Sequence, residues 1–138
     1  MAERQIVITE NDEKRLRSLI RTARLGSAAK RSIAEKLDAA LRHSAVLRSS
    51  RIPEDIVTIN SCVRLRYDSS GREEEVWLRF NPEESADPQR CEVLSELGVV
   101  LLGAKEGDEI VWADPTGTHK GRITEIVYQP ERLGNYSF

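Results

Sequence analysis

The sequence has few of the residues that build metal centres and nucleophilic active sites, with two cysteines and two histidines among 138 residues. Cys62 and Cys91 have neither CxxC spacing nor a neighbouring histidine, which excludes the common zinc motifs and predicts two buried free thiols. His43 and His119 are isolated, and no serine or cysteine nucleophile lies at a motif spacing from either. The residues alone therefore assemble no catalytic, metal or cofactor site.

Long apolar runs are also absent, because no stretch approaches the roughly 18 to 20 residues needed to span a bilayer. The N-terminus, MAERQIVITEND, carries acids where a secretory signal would have its apolar segment. We therefore expect a cytoplasmic protein with no membrane partner, and we expect a monomer.

Charge is divided unevenly along the chain, although the net charge is only -2. Residues 1–49 carry 11 Lys and Arg against 6 Asp and Glu, whereas residues 50–138 carry 10 against 17. This asymmetry predicts a basic arm on an acidic body, with the arm steered toward an anionic surface. The alternative is that both halves are ordinary solvated faces.

Residues 1–49 are predicted to form a short antiparallel helical hairpin, a small coiled coil. Thr9 is suited to cap a first helix of about 14 residues that ends near Gly26, and Ser27 to cap a second of about 20 residues. The apolar residues of each helix recur on one face: Leu16, Leu19, Ile20 and Ala23 in the first, and Ile33, Leu37, Leu41 and Ala45 in the second. Two one-sided helices joined by a short loop bury these stripes against each other.

The tip of this hairpin, RTARLGSAAKRS, carries four basic side chains and no carboxylate. A cationic tip attracts phosphate groups or acidic protein residues and repels divalent cations. We therefore predict Arg24, Lys30 and Arg31 as partner-binding residues.

Residues 50–138 are predicted to form a second domain, and Pro53 marks the boundary because it ends the helical pattern. Beyond it, the apolar period changes from about 3.6 to about 2. SCVRLRY and EEVWLRF form one predicted hairpin, and GDEIVWADPTGTHKGRITEIVYQP forms another. Between them come a polar loop at residues 81–90, a short strand near residues 91–94, and a brief helix that Ser95 caps and Gly103 closes. The fold class is therefore α+β, an antiparallel sheet with one short helix.

The segments SELGVVLLGAKEGDEIVW and DPTGTHKGRITEIVY, preceded by a basic-tipped hairpin, resemble the Gre transcript-cleavage factors (GreA/GreB) of bacterial RNA polymerase. PEDIVTINSCVRLRY, LLGAKEGDEIVW and YQPERLGNY are similar to the pattern of short-armed members of that family. The resemblance is strong over residues 53–138 and mostly architectural over residues 1–49. It implies an FKBP-like C-terminal domain and a regulator of transcription that is not itself an enzyme.

The resemblance also implies a mode of action. Family members insert the hairpin into the polymerase secondary channel, and the C-terminal domain docks on the channel rim. In cleaving members, acids at the tip help to hold a second Mg²⁺, because a hard cation needs oxygen ligands. Here Arg24, Lys30 and Arg31 occupy the tip, and the nearest following acids are Glu35 and Asp38. The resemblance therefore implies a non-cleaving polymerase binder that competes with longer-armed Gre factors.

The predicted rim contact lies at the start of the short helix. Cleaving members carry an Asp-Ser-Pro or similar segment there, and the matching positions are Leu94, Ser95 and Glu96, so only the serine is kept. Leu97 also fits the family pattern. Ser95 and Leu97 are thus implied as partner-binding residues through a shifted or weaker rim contact, and a plain helix cap is the alternative role of Ser95.

Other functions stay open at this stage, namely stimulation of transcript cleavage, prolyl isomerisation and direct nucleic-acid binding through the basic arm. Prolyl isomerisation needs an aromatic-lined pocket, and alternation in the strands predicts that Trp77 and Trp112 belong to the core. Direct binding to DNA or RNA phosphates predicts an affinity that falls steeply as salt rises.

Overall fold

The computed structural model describes residues 6–80 and 90–134, so the predicted polar loop at residues 81–90 lies, apart from Arg90, outside the described residues. It contains both helices and strands, as predicted. The elements in chain order are β1 (Val7–Thr9), α1 (Glu10–Ala23), α2 (Ala28–Arg42), β2 (Ala45–Leu47), β3 (Cys62–Tyr67), β4 (Glu73–Arg79), β5 (Arg90–Glu92), α3 (Glu96–Leu101), β6 (Glu109–Asp114) and β7 (Gly117–Tyr128). Short 3₁₀ turns cover Ser49–Arg51 and Pro130–Leu133.

The first two helices begin at the predicted caps. The Thr9 hydroxyl accepts a hydrogen bond from the amide of Asp12 at 3.0 Å, and the Ser27 hydroxyl accepts one from the amide of Lys30 at 3.3 Å. Each cap satisfies an amide that the first helical turn leaves without a backbone partner. α1 has the predicted length of 14 residues.

The second helix is shorter than predicted, because α2 has 15 residues and ends at Arg42. Ala45, predicted as part of its apolar stripe, instead lies in β2, which pairs in parallel with β1. The Ala45 amide donates to the carbonyl of Ile6 at 2.8 Å. Because the backbone of β2 is hydrogen-bonded to the β-branched N-terminal segment, it is not available to extend α2.

The larger sheet has the strand order β5-β4-β3-β7-β6. Both predicted hairpins are present, since β3 pairs antiparallel with β4, and β6 antiparallel with β7. The prediction of a purely antiparallel sheet is wrong at β5, which pairs in parallel with β4 and sets Cys91 opposite Leu78. Parallel pairing needs a long connection rather than a tight turn, and residues 80–89 separate these two strands.

One hydrophobic cluster includes residues from the helices and from the sheet. Its buried members include Leu16 and Leu37 of the helices together with Leu65 and Leu78 of the sheet. The cluster therefore contains residues from both sides of the predicted boundary near residue 50. No helix among the described residues is long and apolar enough to cross a membrane.

The two tryptophans differ in burial. Trp112 is buried, as predicted. The core prediction for Trp77 is wrong, because this side chain is only half-buried. Its ring lies 5.5 Å from that of Tyr128, and the guanidinium of Arg79 lies 4.6 Å from its centroid. Since Val76 and Leu78 on either side point into the core, Trp77 must lie on the other face of the strand.

Candidate functional site

Arg24, at the end of α1, is held by acids of α2. Its Nε lies 2.7 Å from Oε1 of Glu35, and its Nη2 lies 3.4 Å from Oδ2 of Asp38. The hydrogen bond and charge of Glu35 raise the pKa of Arg24. Asp38 is also 2.9 Å from Nη2 of Arg42. Both acids that follow the turn are therefore paired with arginines.

Lys30 and Arg31, the other two residues predicted at the tip, have different partners. Nζ of Lys30 lies 3.2 Å from Oε1 of Glu92 in β5. Nη1 of Arg31 donates to the carbonyl of Gly26 at 3.2 Å, and its side chain lies at the surface. The side chain of Arg24 therefore contacts α2, that of Lys30 contacts the sheet, and that of Arg31 contacts the turn.

Lys36 makes a second connection between α2 and the rest of the chain. Its Nζ lies 2.8 and 2.9 Å from the two carboxylate oxygens of Glu96, the first residue of α3. Together with Lys30, it ties α2 to the acids on either side of Ser95. The hairpin consequently lies against the segment that was predicted to bind a partner.

Ser95 is the N-cap of α3, which confirms its alternative role. Its hydroxyl accepts a hydrogen bond from the amide of Gly98 at 3.0 Å and donates to the carbonyl of Glu92 at 2.6 Å. Leu97 is half-buried and packs against the hydrophobic cluster. The close approach of α3 to β5 requires glycine at position 98, since a Cβ there would lie 2.1 Å from the carbonyl oxygen of Glu92.

Ser95 and Leu97 line two adjoining grooves of about 450 and 440 Å³. Tyr67 lines both grooves, and Trp112 and His119 line the larger one. The Trp112 ring centroid lies 5.9 Å from that of Tyr67 and 5.4 Å from that of His119. The sequence predicted an isolated His119 and a core Trp112, so this aromatic cluster was not predicted. The contact between Trp112 and His119 does have a sequence signal, the Pro-Gly turn, which sets these two residues opposite each other in the β6–β7 register.

Asp114 stands at the edge of the larger groove. Its Oδ1 accepts hydrogen bonds from the hydroxyl and the amide of Thr116 and lies 3.0 Å from Nε2 of His119. The hydroxyl of Thr116 and then His119 are the main causes that lower the pKa of Asp114 to about 2. This rim of the groove therefore carries a carboxylate at neutral pH.

Exposed positive charge also extends along α1 from the tip. Lys14, Arg17 and Arg21 are all exposed, and spacings of three and four residues set them on one face of the helix. Arg17 lies 3.5 Å from Glu13 of the preceding turn. This stripe was not predicted, although the spacing of its three residues in the sequence indicates it.

Both cysteines are buried thiols that form no disulfide, as predicted. Burial raises the pKa of Cys91. Within residues 6–80 and 90–134, no group of three or more His, Cys, Asp or Glu side chains is arranged to hold a metal ion.

Comparisons with known proteins agree with the predicted resemblance. The family model "Transcription elongation factor, GreA/GreB, C-term" matches residues 52–128. The chain is 31% identical over 138 residues to the Regulator of nucleoside diphosphate kinase of Escherichia coli (strain K12), covering 99% of this chain and 98% of the relative. It is 33% identical over 94 residues to transcription elongation factor GreA of Clostridium botulinum (strain Eklund 17B / Type B), covering 66% of this chain and 57% of that relative.

A solved structure is similar as well. The prokaryotic transcription elongation factor GreA/GreB from Nitrosomonas europaea matches with a TM-score of 0.73 and 32% identity, covering 91% of this chain and 100% of that one. Sequence, family model and fold therefore agree, and the chain belongs to the GreA/GreB family of transcription elongation factors.

Proposed function

We propose that this protein is a non-cleaving regulator that binds bacterial RNA polymerase in the cytoplasm, engages the secondary-channel region and competes there with longer Gre factors. Membership of the family supports the choice of partner. The contacts and the length of the hairpin support the absence of cleavage.

The observation that carries the proposal is the pairing of Arg24 with Glu35 and Asp38, at 2.7 and 3.4 Å. Two-metal hydrolysis needs carboxylate oxygens that are free to bind the second Mg²⁺. With Arg42 also on Asp38, two arginines balance the two acids. A divalent cation would have to displace these arginines, so the two acids are poorly suited to holding Mg²⁺.

The length of the hairpin supports the same mode of action. Helices of 14 and 15 residues extend about 21 and 22 Å at 1.5 Å per residue. The chain also spans only 57% of the GreA relative. A short arm held against α3 by Lys30 and Lys36 is suited to occupying the entrance of a channel and unsuited to reaching a catalytic metal deep inside it.

In this proposal the body contacts the rim of the channel through Leu97 and the groove beside it. Ser95 uses its hydroxyl within the chain, so it shapes the contact by capping α3. Glu96 stands where cleaving members have proline and is already paired with Lys36. The apolar surface of Leu97 is left as the main contribution of this segment.

The test is a pull-down of core RNA polymerase by the purified protein, in competition with a cleaving Gre factor, followed by an RNA cleavage assay on stalled complexes. We expect retention of polymerase, displacement by excess Gre factor and no shortening of the RNA. Cleavage above the factor-free rate would contradict the proposed mode, and failure to retain polymerase would contradict the proposed partner.

Arg31→Glu tests the tip, because the Arg31 side chain is exposed and donates to a backbone carbonyl of the turn. Arg31→Glu avoids the repulsion that reversal of Arg24 or Lys30 would create with their paired acids. Lys105→Glu, an exposed change on the body, is the matched control. We expect weaker competition from Arg31→Glu alone, and equal behaviour of the two variants would show that the charge of the tip is not used.

A second candidate function is direct binding of nucleic acid, which the exposed stripe of Lys14, Arg17 and Arg21 favours. Phosphate contacts release counterions, so affinity for a labelled oligonucleotide would fall with salt at a log-log slope close to the number of contacts. The measurement is fluorescence anisotropy at several salt concentrations, with Lys14→Gln and Arg21→Gln together as the variant. A salt-independent signal would exclude this function.

A further inference from the structure

Asp12 is a carboxyl group in an unusual place for its type. It lies in the first turn of α1, where acids are common, yet only 2% of its surface is exposed. Its Oδ2 accepts a hydrogen bond from the amide of Ile59 at 3.3 Å. Buried carboxyl groups are costly when ionised unless they are well paired, and the backbone donor to this one is the amide of Ile59.

Asp12 lies where three segments of the chain meet. The segment at residues 56–61 presents the Ile59 amide to Asp12 and the Thr58 hydroxyl to Glu131, whose Oε1 accepts at 2.7 Å. Glu131 belongs to the 3₁₀ turn Pro130–Leu133 that follows β7. Thr58 is further held by Ser61, whose Oγ lies 2.9 Å from both the amide and the hydroxyl of Thr58. Two carboxyl groups thus face one buried junction between the first helix and the sheet.

The electrostatics of this junction favour a neutral Asp12. Burial is the largest cause that raises the pKa of Asp12 to about 7, and the charge of Glu131 raises it further. The Ile59 amide, Thr9 and the charge of Arg15 act in the opposite direction. Burial also raises the pKa of Glu131, against the hydrogen bond from Thr58. The charged groups that act on Asp12 are therefore Glu131 of the C-terminal turn and Arg15 of its own helix.

We propose that Asp12 is a proton-sensitive latch between α1 and the sheet: with its carboxyl protonated the helical hairpin stays docked, and with it ionised the docking loosens. Ionisation would add a second negative charge near Glu131, on a side chain that is almost fully buried. Moving α1 away would hydrate both carboxylates. The latch is a property of the isolated chain and does not depend on polymerase binding.

The direction of the pH effect follows from linkage. The pKa of Asp12 is raised in the folded state, from 3.8 to about 7, so the folded state holds its proton more tightly than the open chain. The resulting stabilisation is fully present below about pH 4 and is lost as pH rises through 7. Between pH 5.5 and 8.5 the folding equilibrium constant should fall about thirtyfold from this group alone.

The first experiment measures Asp12 directly by a ¹³C NMR titration of its side-chain carboxyl, with urea unfolding of variants across pH 5.5 to 8.5. Asp12→Asn keeps the shape of the protonated form and should remove the thirtyfold fall. Glu131→Gln should lower the pKa of Asp12. Glu13→Gln, in the same helical turn, is the matched control and should keep the wild-type slope. A carboxyl that titrates near 3.8, or an Asp12→Asn variant with the wild-type slope, would overturn the latch.

The second experiment asks whether the hairpin opens without the sheet. Hydrogen exchange at pH 8.5 should give lower protection factors for the amides of α1 and α2 and of Ile59 than for those of β3 and β7. In Asp12→Asn this difference should shrink. If helix and sheet amides share one protection factor at both pH values, the chain opens only as a whole and the latch is refuted.

Discussion

Nζ of Lys30 in α2 lies 3.2 Å from Oε1 of Glu92 in β5, so the second helix is tied directly to the edge of the sheet. Lys36, further along the same helix, repeats the arrangement with Glu96 at 2.8 Å. Roughly a third to a half of each of these side chains is exposed, and pairs of this kind contribute little to stability. The two pairs connect α2 with β5 and with the start of α3.

Exchange of the charges of Lys36 and Glu96 tests this connection. Lys36→Glu alone should lower the free energy of unfolding by roughly 1 kcal/mol or less, because it brings two acids together at a partly exposed site. The double variant Lys36→Glu/Glu96→Lys should recover most of the loss, as measured by urea unfolding. A double variant whose loss equals the sum of the single losses would show that the two side chains do not interact.

Gly98→Ala should be far more damaging than its size suggests. The added Cβ would lie 2.1 Å from the carbonyl oxygen of Glu92 and 2.7 Å from Cα of Val93, and because these neighbours are backbone atoms, no flexible side chain can move to make room. We expect a loss of roughly 3 kcal/mol. Gly26→Ala is the control, because its nearest neighbour would lie at 3.3 Å. Thermal unfolding of the two variants would disagree with this account if their midpoints fell equally.

Local signals in the sequence predicted local structure well. Thr9, Ser27 and Ser95 were each predicted as helix caps, and each accepts the expected backbone amide. Capping depends on a few consecutive residues, so it is readable without the fold. Trp77 is the exception, because it was predicted as core although its position between Val76 and Leu78 indicates the opposite face of the strand.

Partners distant in sequence were not predictable in this way. Ala45 continues the apolar stripe of α2, and only the presence of β1 beside it makes this segment a strand. The position of Arg24 at the end of the first helix was predicted, whereas its pairing with Glu35 depends on how α1 and α2 face each other. Lys30 and Glu92 are brought together by the docking of the hairpin, and residue spacing in the sequence does not predict this docking.

The low pKa of Asp114 leads to a prediction about Thr116. Its hydroxyl is the largest cause that lowers this pKa, followed by His119, so Thr116→Val should move the pKa from about 2 toward the ordinary value. Because the folded-state pKa is depressed, the stabilisation is present above about pH 4 and lost as pH falls toward 2. A ¹³C NMR titration of Asp114 measures the shift, and His119→Gln should give a smaller one. An unchanged titration in Thr116→Val would contradict the role of the hydroxyl.

Access to the thiols tests how firmly β5 is held at the edge of the sheet. Cys62 is 1% exposed and Cys91 is 9% exposed, and burial raises the pKa of Cys91, so little thiolate is present at pH 8. We expect both to react with a thiol reagent such as DTNB on the order of 10²-fold more slowly than in 6 M guanidinium chloride, because reaction requires opening of the surrounding structure. Two kinetic phases are expected, one for each thiol, and Cys91→Ser would show which phase belongs to Cys91. Cys91 should react faster than Cys62, because β5 has only three residues and one neighbouring strand. If Cys91 reacted at the rate of the unfolded chain, β5 would be detached in solution, and the contact of Lys30 with Glu92 could not hold the hairpin in place.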